Sequence, residues 1–369
     1  MIMQFPPAPN TTLGVILQII FLVLFIIFMF FGQRIQVYTM LKQVEGSLNE
    51  LKFMRDEGRK IAIKTLQEAG GAENLVERVD QFLEHVAIQP ESMDPAGVVW
   101  KLEHIMNVRE DRFLEEVRRM APKADEVQLR NLEHLLEASL ALNLIYKIIR
   151  HYFLLGKKTL SLYIIMQLQM LMPLILREAR AYASALNAFV YGHPIGDGVG
   201  SLVAAKLMRN HEIKPIAKDI VMAEVEIEGR HAYIIKAEGP GSKVGKPGDA
   251  VRKIIEENNG KIAAIIFIDA ALKLEGEKVG EIAEAIGVAI GGVGIEKYKV
   301  EDIVTKYKIP VHAVIIKEDV GDAISPMSKE IFKAADAAIE RIKALLLERT
   351  KEGDKVIIAG IGNTMGIGQ

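Results

Sequence analysis

The chain has 369 residues, enough for more than one domain with its own core. Its 46 basic and 48 acidic residues leave a net charge of −2, so no global field argues for nucleic acid. With no cysteine it can form no disulfide, Cys-ligated zinc site, iron–sulfur cluster or thiol nucleophile, and any metal must be held by carboxylates and the eight histidines.

Hydrophobic residues reach 50%, and many fall in one uncharged run from Leu13 to Phe31, LGVILQIIFLVLFIIFMFF. Its length suits a helix that spans a bilayer. No basic segment precedes it and no small-residue cleavage pattern follows, so it reads as a retained anchor in the lipid bilayer rather than a removed signal peptide. The first twelve residues carry no charged side chain, whereas Arg34, Lys42, Lys52, Arg55, Arg59 and Lys60 follow the run. Positive charge stays on the cytoplasmic side, which predicts a single-pass protein of the cell membrane, N-terminus outside and bulk cytoplasmic.

After this segment (1–32), residues 33–69 read as one long helix, with Ile35, Tyr38, Leu41, Val44, Leu48, Leu51 and Met54 at mixed three- and four-residue steps. The near-heptad spacing suits a homo-oligomer or a helix lying on its own bundle. Gly70 and Gly71 stop it, and a short helix follows over 72–86. A loop over 90–95 precedes a helix over 98–106, with Asp94 as N-cap and Pro95 in its first turn. Helices over 109–120, 123–155 and 157–187 complete an all-helical domain, 33–189, the last two joined around Gly156. The apolar stretch 160–176 contains Gln167, Gln169 and Pro173 and reads as a helix buried in the bundle or forming an oligomer interface; as a second span it would place the C-terminal domain outside the cell.

From residue 190 to the end, short β-rich runs alternate with helices. Helices are predicted over 201–210, 248–258, 300–307 and 329–349, and strands over 262–268, 311–316 and 356–359, with a hairpin from 220–227 and 232–237. Residues 281–289 fit either type. The alternation implies a doubly wound α/β sheet whose ligands lie beyond the strand C-termini.

Three carboxylates fall at such places: Asp197 in a glycine-rich turn, Asp269 at the end of the strand IAAIIFID, and Asp322 one strand further on. Two of them close together could share a proton or hold a divalent metal, with His193 as a further ligand near Asp197; capping of the adjacent helix or loop is the structural alternative. The loop from Gly239 to Lys246 departs from a phosphate loop, because Pro240 stands where glycine is needed and Pro247 where Ser or Thr is needed. Gly360 and Gly362, and the run Gly291-Gly292-Val293-Gly294, lack the spacing or the following helix of a dinucleotide fingerprint. His312 reads as a packed strand residue, and Ser201, Ser242 and Ser325 have no recognisable base partner.

The stretch Gly196-Asp197-Gly198-Val199-Gly200, followed by Val203-Ala204-Ala205-Lys206-Leu207, resembles the loop and helix of the hydrogenase-maturation protease and spore germination protease superfamily. The strand and Gly-x-Gly-Asn turn that open those proteins are similar to Val356-Ile357-Ile358-Ala359-Gly360-Ile361-Gly362-Asn363, here at the opposite end of the domain, as a circular permutation would leave them. Ile268-Asp269-Ala270-Ala271-Leu272 is similar to a strand end of the germination proteases. The resemblance implies a permuted phosphorylase/hydrolase-like fold, with Asp197 and Asp269 at the acidic positions and no match for the histidine ligand of the maturation enzymes. The whole chain also resembles an uncharacterised archaeal family of membrane proteins with one N-terminal anchor.

These readings lead to a membrane-anchored cytoplasmic hydrolase, a peptidase acting on protein or peptide, in which Asp197 and Asp269 activate water directly or through a divalent metal. Backbone N–H groups of Gly196, Gly198, Gly200, Ser201, Gly360, Gly362 and Asn363 would face developing negative charge. The rivals are a catalytically silent homo-oligomeric binding or scaffold protein, and an anion or nucleotide sensor.

Overall fold

A computed structural model describes residues 12–84, 97–292 and 294–369. The predicted loop at 90–95, with its Asp94 cap, and Val293 lie outside these residues. By internal contacts the chain divides into two compact units, one taking the chain up to Phe53 with Leu144–Arg177, the other Met54–Asn143 with Glu178–Gln369.

Among the described residues five helices come first: α1 (Thr12–Glu68), α2 (Leu75–Leu83), α3 (Val98–Met120), α4 (Glu126–Thr159) and α5 (Leu162–Tyr191). The apolar run and the near-heptad segment form one continuous helix, since no Pro or Gly pair interrupts it before Gly70. Val37, Leu41, Val44, Leu48 and Leu51 are buried on one stripe of α1. The two helices expected over 98–106 and 109–120 are a single α3, closed with Phe113, Val117 and Met120 buried on one face. The expected turn at Gly156 is also absent. Gly156 lies inside α4, where a Cβ would overlap Ile165, so its role is the close approach of α4 and α5. The turn falls at Leu160, whose φ is +50°.

Among the described residues, one helix, Leu162–Tyr191, is long and apolar enough to cross a membrane, and Val15–Ile27 is a shorter apolar helical stretch. Only 22% of the most apolar window of Leu162–Tyr191 is buried, so the bundle does not enclose it. Ile165, Leu168 and Met172 face inward while Met166, Met170 and Leu174 face out.

The rest of the chain builds a seven-stranded sheet from β1 (Ile213–Ala217), β2 (Ile220–Ile227), β3 (Arg230–Ala237), β4 (Ala264–Leu272), β5 (Ile282–Ile286), β6 (Val311–Glu318) and β7 (Lys355–Gly360). The order is β1-β2-β3-β7-β4-β6-β5. The four central strands, β3, β7, β4 and β6, are parallel, whereas β1, β2 and β5 pair antiparallel at the edges. The sheet is therefore mixed rather than wholly parallel, because β2 and β3 close a tight hairpin at Glu228 and Gly229, both at positive φ. Helices α6 (Val199–Met208) and α10 (Lys329–Arg349) cover one face, and α7 (Pro247–Glu257) and α8 (Ile295–Tyr307) the other; a short α9 (Val320–Ile324) follows β6. β4 and β7 are apolar on both faces, as strands covered twice must be. Although β7 comes last in the sequence, it sits in the middle of the sheet and delivers the Gly360 turn to the C-terminal edge.

Candidate functional site

The turn Gly196–Gly198 and the segment after β7 interlock. A Cβ at Gly200 would overlap the carbonyl oxygens of Ile268 and Ile361, one at Gly360 that of Gly200, and one at Gly362 that of Asp197. Three backbones meet here with no room for a side chain, which explains the glycines at these positions. The Ser201 hydroxyl donates to the Gly362 carbonyl at 2.8 Å, and the Asn363 N–H donates to Asp197 Oδ2 at 3.0 Å. The Asn363 amide is held in turn by the Ser242 hydroxyl, with Nδ2 donating to Oγ at 2.8 Å. The loop from Gly239, which starts at a cis Gly239-Pro240 peptide, is pinned to the tail by the Thr364 hydroxyl donating to the Gly241 carbonyl at 2.9 Å.

Several of the backbone N–H groups expected to face a ligand are engaged within the protein. Gly196 donates to Ser325 O at 3.2 Å, Gly198 to Ile195 O at 3.0 Å, and Asn363 to Asp197. They tie the loops together.

Asp197 makes no capping hydrogen bond to α6; it reaches across to Asn363 instead. Part of its surface is accessible, yet dense protein surrounds it and burial pushes its carboxyl above the usual range. Asp269 is buried at the end of β4, where Oδ1 accepts from the Ala270 N–H at 2.8 Å. Burial, then the charge of Asp197, pushes its carboxyl up to about 8, against the pull of the Ala270 and Gly291 N–H groups.

A third acid joins them that residue spacing does not single out. Glu318, the last residue of β6, is fully buried, and neither carboxylate oxygen has a hydrogen-bond partner among the described residues. Its Oε2 lies so close to the Gly196 backbone that a Cβ there would come within 2.6 Å. Burial, and then the charges of Asp197, Asp322 and Asp269, push Glu318 up to about 8. Asp322, the third of the predicted acids, serves the local backbone instead, its Oδ2 accepting from the Asp319 N–H at 3.3 Å in the capping box of α9. His193 is exposed, and its ring stacks on Tyr191 with centroids 5.7 Å apart.

A cleft of about 300 Å³ is lined by α3, α4, the loop 242–246 and the glycines at 291, 292 and 294, and by none of the three acids themselves. Three of its lining residues bear on the acids. Gly291 donates toward Asp269, Ser242 fixes Asn363, and the charge of His134 favours ionised Asp197. His134 Nδ1 lies 3.0 Å from the Arg130 carbonyl, which can only accept, so Nδ1 carries a proton. One wall is an ion network in which Arg130 meets Glu133 at 3.2 Å, Glu110 at 3.3 Å and Asp219 at 3.5 Å. The N-terminus of α7, where a phosphate loop would hold its ligand, is taken by Glu296, whose Oε2 accepts from the Gly248 N–H at 2.8 Å.

Among the described residues, one set of three acidic donor atoms lies within 4.8 Å of one another, Glu103, Asp249 and Glu296. Its centre is filled by the Lys299 ammonium, at 2.6, 2.9 and 3.0 Å from the three carboxylates. Asp197, Asp269 and His193 do not gather three donors that closely, so they do not fit a preformed metal centre.

Two family descriptions match the chain: the DUF1512 N-terminal domain, a protein of unknown function, over residues 18–192, and the DUF1512 C-terminal domain of unknown function over residues 195–368. No curated protein matches it.

Proposed function

The chain belongs to the DUF1512 family, and within that family we propose a membrane-anchored hydrolase, a peptidase that uses Asp197 and Asp269 with Glu318 as their neighbour. The observation that carries this reading is three electrostatically coupled carboxylates at the sheet edge, with no ion pair to any of them among the described residues and two of them pushed up to about 8. Burial and mutual repulsion raise all three, so at neutral pH the cluster keeps protons as well as negative charge. That is the arrangement general acid–base hydrolysis needs. Ionised Asp197 takes a proton from water as its oxygen attacks the peptide carbonyl carbon. Protonated Asp269 gives its proton to the carbonyl oxygen, forming a gem-diol; as the amine leaves with the proton returned from Asp197, one diol hydroxyl gives its proton back to Asp269 and the carboxylic acid product is released. The resemblance of the Gly196 loop and the Ile268–Leu272 strand end to a permuted protease-like domain points the same way, and no step needs a metal. The run from Leu13 to Phe31 would anchor the protein in the cell membrane with its bulk on the cytoplasmic side.

The second reading is a catalytically silent assembly module, favoured by the internal use of the loop N–H groups. The two separate on one experiment. The full chain, in detergent, is incubated with a mixture of unstructured peptides and cleavage is followed by mass spectrometry, beside Asp197→Asn and Asp269→Asn proteins of unchanged melting temperature. Cleavage lost in both variants supports the peptidase; cleavage that persists in both, or is absent from the natural chain, overturns it.

A further inference from the structure

The unit that takes the chain up to Phe53 also holds a helical hairpin, the end of α4 and the start of α5. Its tip is LLGKKTLSLY, from Leu154 to Tyr163, and carries Lys157 and Lys158, which make no ion pair among the described residues, between exposed Leu154, Leu160 and Tyr163.

The position of this tip along α1 follows from three observations. The side chain of Gln169 in α5 donates to that of Gln43 in α1, so these two residues are level. Burial on α1 starts at Val37, whereas the described hydrophobic side chains from Val15 to Phe31 are exposed. Finally, α5 continues as one helix to Tyr191, well past Gln169. Were α5 antiparallel to α1, that continuation would lie along the exposed run and cover it, so α5 runs parallel to α1 and starts beside it near Val37. At about 1.5 Å per residue, this is on the order of 9 Å beyond Phe31. A bilayer has about 30 Å of hydrocarbon and roughly 5–7 Å of headgroups on each side, and a lysine can reach the remaining distance.

We infer that the α4–α5 tip is a second membrane contact: it rests on the headgroup layer next to the α1 anchor and prefers anionic lipid. Lys157 and Lys158, with exposed Arg34 at the same level of α1, supply the charge, while Leu154, Leu160 and Tyr163 offer the apolar and amphipathic groups that favour an interface. Two contacts fix a helical unit against tilt, where one helix would leave it free to swing. The inference rests on the anchor part of the proposed function and is independent of the peptidase.

The chain has no cysteine, so single labels are unambiguous. Ile20→Cys, Leu160→Cys and Leu347→Cys full-length proteins, each spin-labelled, are reconstituted in vesicles of neutral phosphatidylcholine with or without anionic phosphatidylglycerol. Collision with oxygen and with an aqueous nickel chelate then gives the depth of each label. The expected result is a label at 20 in the hydrocarbon, one at 347 in water, and one at 160 at headgroup depth, several-fold less open to nickel than at 347. Phosphatidylglycerol should deepen the label at 160, and Lys157→Glu with Lys158→Glu should abolish that effect. A label at 160 as wet as at 347, with 20 still in lipid, overturns the tip contact and leaves the anchor. A wet label at 20 overturns both. A label at Leu171→Cys in the hydrocarbon would make α5 a second span and also overturn the interfacial placement.

Discussion

Two trios of carboxylates in the same unit have opposite solutions to the same electrostatic problem. Glu103, Asp249 and Glu296 surround the buried ammonium of Lys299, and Glu296 also accepts from the Gly248 N–H at the start of α7, so their charges are matched on the spot. Asp197, Asp269 and Glu318 make no ion pair among the described residues, and two of them are pushed up to about 8 instead. The matched trio joins α3, α7 and α8 and is structural. The unmatched trio stores a cost in stability at the sheet edge, which folds tolerate where chemistry needs a perturbed proton.

The largest effect is expected from breaking the matched trio. Lys299→Met leaves three carboxylates around an apolar group and should lower unfolding free energy by about 3–5 kcal/mol, measured by urea titration. Breaking the unmatched trio should do the reverse, and only at high pH. Glu318 has its folded value raised from 4.5 to about 8, so its ionisation opposes folding. Stability from this group is fully present below about 4.5 and is lost as pH rises to about 8. Glu318→Gln should therefore raise stability at pH 9 by about 2–4 kcal/mol and change little at pH 4, the gain appearing between those values. Equal effects at both pH values would mean that the acids do not interact as described.

A buried cation gives the mirror image. Lys236 at the end of β3 is lowered to about 8 by burial, and its ammonium donates to the Ala237 carbonyl at 3.0 Å. Its protonated form opposes folding below about 8, and the penalty fades as pH rises toward 10.5. Lys236→Met should stabilise by about 2 kcal/mol at pH 6 and by less at pH 10, read from melting temperatures. The smallest effect belongs to an exposed matched pair. Lys343→Ala removes the 2.8 Å pair with Glu340 and should leave the urea denaturation curve unchanged within its error.

Much of this site is legible in the chain. The turn Gly196–Gly198, the strand end at Asp269 and the last strand with its glycine turn are recognisable because each depends on a few adjacent residues: glycine where backbones touch, and an apolar run that ends in an acid. That the first and last of these pieces meet is suggested by resemblance, and in the fold β7 runs between β3 and β4 to bring Gly362 against Asp197. Gly156 reads as a turn and is not one, because glycine has the same appearance in a sequence whether it serves a positive φ or a close helix contact. Glu318 is hidden in the ordinary-looking IIKED, since nothing local distinguishes a strand-end glutamate that points outward from one that is buried.

The sequence by itself determined the type of most elements, the uncharged apolar run, the absence of thiol chemistry and the glycine-flanked acids, all set by local sterics, periodicity and composition. Only the tertiary structure decided that β7 is central, that Lys299 fills one acidic trio while the other makes no ion pair among the described residues, and that Glu318 belongs to the second. Burial and the distances between charges arise from pairings far apart in the chain, and those two quantities decide whether a carboxylate is a surface solubiliser, a structural ion-pair partner or a proton carrier.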